Sequence, residues 1–194
     1  FSTKKPTGPG WGTITGMNEP AARPGKSEPT PLARLLRPRS VAIVGASPEP
    51  GSMGGAVLAN LERLGYQGEI HLVSRSRAQI NGRSCVTSVD ELPTGIDAVV
   101  LNVPEAAVFD AVAACVRRRS AGAVVFASGY AETGEEGRAR QEKLAALARE
   151  GGLALNGPNC LGFVNFLDGV PLTFEFIGEH RTDAGTGVAV IGQS

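Results

Sequence analysis

From about residue 30 onward, short apolar runs rich in β-branched residues alternate with stretches whose apolar positions recur at helical spacing. "PLARLL" (31–36) reads as a short lead-in helix and "VAIVG" (41–45) as the first strand. Val57, Leu58, Leu61 and Leu64 then fall on one helical stripe that Gly65 can cap. "EIHLV" (69–73) is the second strand, and an irregular stretch to Leu92 leads to a third, "DAVVLNV" (97–103). Pro104 is expected at the first position of a helix whose stripe is Val108, Val112, Cys115 and Val116. Arg117, Arg118 and Arg119 close that helix where its dipole favours cations. "AVVFA" (123–127) is the fourth strand. A polar loop follows, then a helix from about Glu135 to Glu150 ended by Gly151 and Gly152, and "LAL" (153–155) as the fifth strand.

Strand and helix in strict alternation are the sequence form of a parallel sheet with helical crossovers. The expected fold is α/β, a Rossmann-like parallel sheet with helices on both faces, over residues 30–178. Residues 163 to 177 read as an extended arm, and "GVAVIGQS" (187–194) repeats the strand-into-loop pattern of residues 41–45. Residues 179–194 are therefore expected to be a linker and the first strand of a second α/β domain, cut short. At the other end, five prolines and five glycines among the first 29 residues predict a disordered leader or tag, with Met17 as a candidate natural start.

Charge narrows the partners. Lys and Arg total 19, as do Asp and Glu, so no overall basic field draws the chain to nucleic acid or anionic lipid. No apolar run approaches the length of a membrane span and no secretory signal is visible, so a cytoplasmic location is expected. Cys85, Cys115 and Cys160 are widely spaced and form no CxxC pair, which predicts reduced thiols and neither disulfide nor metal site.

In a sheet wound this way, ligands bind beyond the carboxyl ends of the strands. Those ends read "GASPEPGSMGG", "SRSR", "VPEAA", "ASGYAE" and "NGPNCLG". In the first, Gly45, Ser47, Gly51, Ser52 and Gly54 are candidates to bring backbone N–H groups up to a phosphate at a helix N-terminus. The loop is neither GxGxxG nor a P-loop, and by itself it also fits a tight turn. At the second strand's end an NAD site places Asp or Glu against the adenosine ribose. This chain has Ser74, Arg75, Ser76 and Arg77 there. Two guanidiniums favour a ribose carrying an extra phosphate, as in NADP at the 2′ position or coenzyme A at the 3′ position.

"RSVAIVGAS", "VPEAA" (103–107), "SGYAETGEEG" and above all "GPNCLG" resemble the coenzyme A binding domain of the NDP-forming acyl-CoA synthetases, the superfamily that includes the α subunit of succinyl-CoA synthetase. The resemblance runs from about Leu36 to Ser194. It implies a ligase that joins an acid to coenzyme A through an acyl phosphate, releasing NDP and phosphate. It further implies that ATP and Mg act in domains or a subunit outside this chain. Gly45, Ser47, Gly51, Ser52 and Met53 match the loop around the nucleotide end of the coenzyme, and Arg75 or Arg77 a basic position near the ribose phosphate. Val103 and Pro104 would lie against adenine or pantetheine, Ala127, Ser128 and Gly129 match a strand-end contact, and Asn159 and Cys160 the loop near the thiol. Many relatives have V-N-P where this chain has Val73, Ser74, Arg75, and Ser128 replaces an acidic residue of succinyl-CoA synthetase, which points to the single-chain or acetate-type branch. The rival readings are an NADP-binding Rossmann oxidoreductase module and a regulatory coenzyme A sensor of the kind fused to protein acetyltransferases.

No residue of this chain is assigned to catalysis. His71 falls inside a strand and His180 in a polar connector, while the histidine that carries phosphate in such ligases is implied to lie in another domain. Cys160 has no histidine placed beside it to activate it and reads as loop packing, and Cys115 as core. Glu135, Glu136, Arg138 and Glu142 solubilise an outer helix face, and Trp11 belongs to the leader.

Overall fold

The computed structural model describes residues 28–178. The expected leader through Ser27, with Trp11 and Met17, and the expected linker and strand with His180 lie outside the described residues. Seven strands form one sheet in the order β3-β4-β2-β1-β5-β6-β7, parallel except for the β3/β4 pair. These are β1 (Ser40–Val44), β2 (Glu69–Val73), β3 (Gln79–Ile80), β4 (Arg83–Val86), β5 (Ala98–Leu101), β6 (Gly122–Val125) and β7 (Ala154–Asn156). Helices α1 (Pro31–Leu36), α2 (Met53–Arg63), α3 (Glu105–Arg117) and α4 (Glu135–Glu150) connect them, and a separate hairpin, β8 (Gly162–Asn165) with β9 (Val170–Thr173), follows.

The strands are apolar on both sides because both faces of the sheet are covered. Ala42, Val44, Val99, Leu101, Ala123 and Val125 pack on one face with Val108, Val112 and Cys115 of α3 and Leu144 and Ala148 of α4. Val41, Ile43, Ala98, Val100 and Val124 pack on the other with Leu35 of α1, Val57, Leu58 and Leu61 of α2, and Val170 and Leu172 of β9. Burial pushes the Cys115 thiol up to about 12, as befits a core residue. Asp97 enters β5 at 4 % exposure and is doubly held, accepting from Arg34 Nε at 2.5 Å and from the Arg39 backbone N–H at 2.8 Å, which ties α1 and β1 to β5.

Three expectations are corrected. The stretch before Leu92 is not irregular: it holds β3 and β4, turned by Asn81 and Gly82 at φ +48° and +77°, and a 3-10 turn at Val89–Glu91. Consecutive positive φ values are those of a two-residue type I′ hairpin, and Asn-Gly is its sequence signature. Residues 163 to 177 are not an extended arm, because β8 and β9 pair antiparallel and β9 buries Val170 and Leu172 in the core. Asn60, buried on α2, fixes that hairpin by donating from Nδ2 to the carbonyls of Thr173 and Glu175 at 2.9 and 2.7 Å. Pro104 is the N-cap of α3, one residue before its expected place.

Candidate functional site

The chain leaves β1 for β2 and β4 on one side, then returns to β5 on the other, so the winding reverses between β1 and β5. Ligand crevices open at such a reversal. Gly45 ends β1 there at φ +79°, and a Cβ on it would stand 2.0 Å from the Asn102 carbonyl oxygen at the end of β5. Asn102 in turn donates from Nδ2 to the Gly45 carbonyl at 3.2 Å. Gly54, in the first turn of α2, has the Gly45 carbonyl 2.2 Å from where its Cβ would be. Both glycines thus let α2 seat its N-terminus against the ends of β1 and β5. Ser52 caps that helix, its Oγ accepting from the Gly55 N–H at 3.1 Å and donating to the Glu49 carbonyl at 2.7 Å. The backbone N–H groups of Met53 and Gly54 have no acceptor among the described residues and sit at the positive end of the helix dipole. Ser47 Oγ accepts from the Glu49 N–H at 3.2 Å, and the space around Gly51 is open.

At the end of β2, Ser74 is buried, its N–H given to the Val86 carbonyl at 2.9 Å. Arg75 is exposed with no polar partner among the described residues, and Arg77 reaches Glu49 of the first loop at 3.8 Å, half exposed. The exposed pair gains little from that contact. Val103 is half-buried and Pro104 exposed where α3 begins.

Beyond β6, Ala127 accepts the Asn159 N–H at 2.9 Å, which joins the β6 and β7 loops. Gly129 and Tyr130 donate their N–H groups to Glu132 Oε1 at 2.5 and 3.1 Å, and this holds the Glu132 carboxyl below the usual range, the Gly129 N–H being the largest cause. Arg140 clamps the same loop, donating to the Gly129 carbonyl at 2.8 Å and pairing with Glu105 at 3.3 Å. Cys160 Sγ sits 3.1 Å from Asn156 Oδ1 and 3.4 Å from the Val125 carbonyl, and burial raises its pKa. A thiol bonded into two strand ends and kept protonated is packing, not a nucleophile. His71 lies mid-strand on β2 beside Glu69 at 3.3 Å, away from these ends.

The predicted residues therefore gather in two knots, one at β1 and β2 and one at β6 and β7, with Val103 and Pro104 between. Four strand spacings of about 4.8 Å separate β2 from β7, so a ligand touching both knots must span roughly 19 Å. Sequence reasoning missed Asn102, Glu132 and Arg140. Asn102 left a trace, as a polar residue ending an apolar strand; the other two act through folded geometry.

The profile of the CoA binding domain matches residues 39–165, from the start of β1 through β8. The chain belongs to this family of CoA-binding domains. Trans-feruloyl-CoA synthase FCS1, from an unknown prokaryotic organism, is 41% identical to the domain over 164 residues, 84% of this chain and 23% of that protein. The ADP-forming acetate–CoA ligase I of Archaeoglobus fulgidus is 34% identical over 77% of this chain and 22% of its own length. The α subunit of the ADP-forming acetate–CoA ligase II of Pyrococcus furiosus is 33% identical over 84% of this chain and 34% of its own. The dinucleotide forming acetyl-coenzyme A synthetase 1 of Ca. Korarchaeum cryptofilum, solved with phosphate and ADP, superposes on the CoA-binding domain with a TM-score of 0.69 at 30% identity, covering 74% of this chain and 30% of that one. The chain thus spans about a fifth to a third of these relatives. Among its described residues, no helix is long and apolar enough to cross a membrane.

Proposed function

We propose that this CoA-binding domain is the coenzyme-holding part of an NDP-forming acyl-CoA ligase, which joins a carboxylic acid to coenzyme A with ATP and releases ADP and phosphate. The observation that carries the reading is the pair of exposed arginines, Arg75 and Arg77, at the end of β2 within a family match that spans every strand-end loop. These guanidiniums hold the ribose phosphate through charge-assisted hydrogen bonds. The free N–H groups of Met53 and Gly54, at the N-terminus of α2 beside Ser47, Gly51 and Ser52, face the pyrophosphate. Val103 and Pro104 pack against the middle of the ligand, and Ala127, Ser128, Gly129, Asn159 and Cys160 frame its thiol end. When bound, the coenzyme supplies the thiol that takes up the acyl group.

What the residues of this chain contribute is position: a thiol held at one end of the crevice meets its partner at high effective concentration. ATP and Mg belong with the remaining domains or subunit of the ligase, and this chain alone binds without turning over. The relatives above are ligases, and neither the NADP oxidoreductase nor the acetyltransferase-linked sensor has a counterpart among them. Calorimetric titration of the 194-residue chain with coenzyme A, NADP and NAD tests the reading. Coenzyme A is expected to bind best; preferential binding of NADP, with no heat from millimolar coenzyme A, overturns it.

A further inference from the structure

Beside the loop that follows β6, α3 and α4 leave a groove of about 230 Å³ lined by Glu105, Ala106, Phe109, Tyr130, Arg140, Lys143 and Leu144. Sites for drug-sized ligands begin at roughly 300 Å³, so this one suits a compact molecule. Its apolar wall is formed by Phe109 and Leu144. Phe109 is 48% exposed although it stands beside the buried Leu144.

Two polar groups in the groove lack partners. Tyr130 is only 3% exposed, yet its hydroxyl makes no hydrogen bond to any described residue and lies in the field of Glu105 and Arg140, the two rims of the groove. The ring is buried while the hydroxyl reaches solvent, so it is free to donate to a bound group. Lys143 forms no ion pair among the described residues. Arg140, by contrast, is already engaged with Glu105 at 3.3 Å and the Gly129 carbonyl at 2.8 Å, so Glu105 is neutralised and one positive charge is left over.

We infer that this groove is a second ligand site, for a small aromatic monocarboxylate whose ring lies on Phe109 and Leu144 and whose carboxylate meets the Lys143 ammonium and the Tyr130 hydroxyl. A phosphate dianion would face one cation where it needs two. An apolar side chain from a neighbouring protein segment would cover Phe109 but leave both polar groups unmatched, each at a desolvation cost. The site is independent of the coenzyme reading, since none of its lining residues is assigned to the coenzyme.

The test is an amide spectrum of the whole 194-residue chain titrated with sodium benzoate, with benzamide and acetate as probes lacking the charge or the ring. Benzoate should shift the amides of Phe109, Tyr130 and Leu144 with a Kd on the order of 1 mM, and benzamide and acetate should each bind at least about three-fold more weakly. Lys143→Ala, an exposed change that leaves the core intact, should weaken benzoate about three- to ten-fold, and Tyr130→Phe about three-fold. The inference is overturned if about 10 mM benzoate leaves those amides unmoved. It is equally overturned if the shifts centre on the loops after β1 and β2, or if benzamide or the Lys143→Ala protein binds as tightly as the unmodified pair.

Discussion

Replacing Arg75 and Arg77 together with alanine separates a ribose phosphate contact from every other contribution to coenzyme binding. Arg75 is exposed and unpaired among the described residues, and the Arg77 side chain is 49% exposed and only loosely drawn to Glu49 at 3.8 Å. A unit charge pair at 4 Å is worth about 1 kcal/mol in water and about 4 at the higher effective strength of a protein surface, with salt reducing both. Exposure places each arginine near the lower figure, so the pair contributes about 2 kcal/mol, or about 30-fold in Kd. Coenzyme A should therefore weaken about 30-fold in a calorimetric titration of the double variant, and dephospho-coenzyme A, which lacks the phosphate, by less than about three-fold. Glu49→Gln should shift the balance the other way, freeing Arg77 and tightening coenzyme A about two-fold. Equal losses for coenzyme A and its dephospho form would refute the argument, because the arginines would then act through something both ligands share.

Three further outcomes follow from the same geometry. Gly45→Ala puts a methyl 2.0 Å from the Asn102 carbonyl at a left-handed φ of +79°, and should lower stability by about 3 kcal/mol in urea melts while abolishing coenzyme binding. Asp97→Ala strips the buried acceptor from Arg34 and from the Arg39 N–H, and should destabilise by about 3 kcal/mol without altering coenzyme affinity in the folded protein. Glu132→Gln should lower Tm at pH 7 by removing the charge that Gly129 and Tyr130 hold. Because the folded pKa lies below the ordinary carboxylate value, that contribution is present above about pH 4.5 and is lost as pH falls through the depressed value. Thermal melts of the two proteins should therefore converge in acid, and a gap that persists there contradicts the assignment.

The chain's periodicity carried most of the fold. β2 and α4 stand at their expected bounds, Glu69–Val73 and Glu135–Glu150, because each is framed by unambiguous stops. The β3–β4 hairpin was missed although Asn81-Gly82 announced it: its strands are too short and too exposed to show alternation. The β8–β9 hairpin escaped because its apolar face is defined by α2, a partner distant in sequence. At the site, glycines and arginines were legible as residue types at strand ends. Their division of labour was not, since Gly54 is required by the Gly45 carbonyl opposite it while the space at Gly51 is open. Glu132 and Arg140 look like surface charges in the sequence, and only the folded loop shows the two of them holding the Gly129 backbone from either side.

A crystal of this chain grown with coenzyme A reads the central claim directly. The account predicts the ribose phosphate within hydrogen-bonding distance of Arg75 or Arg77, the pyrophosphate over the Met53 and Gly54 N–H groups, and the thiol beside Asn159 and Cys160. Density for the adenylate elsewhere on the molecule, or a crevice without density at saturating coenzyme, would contradict it.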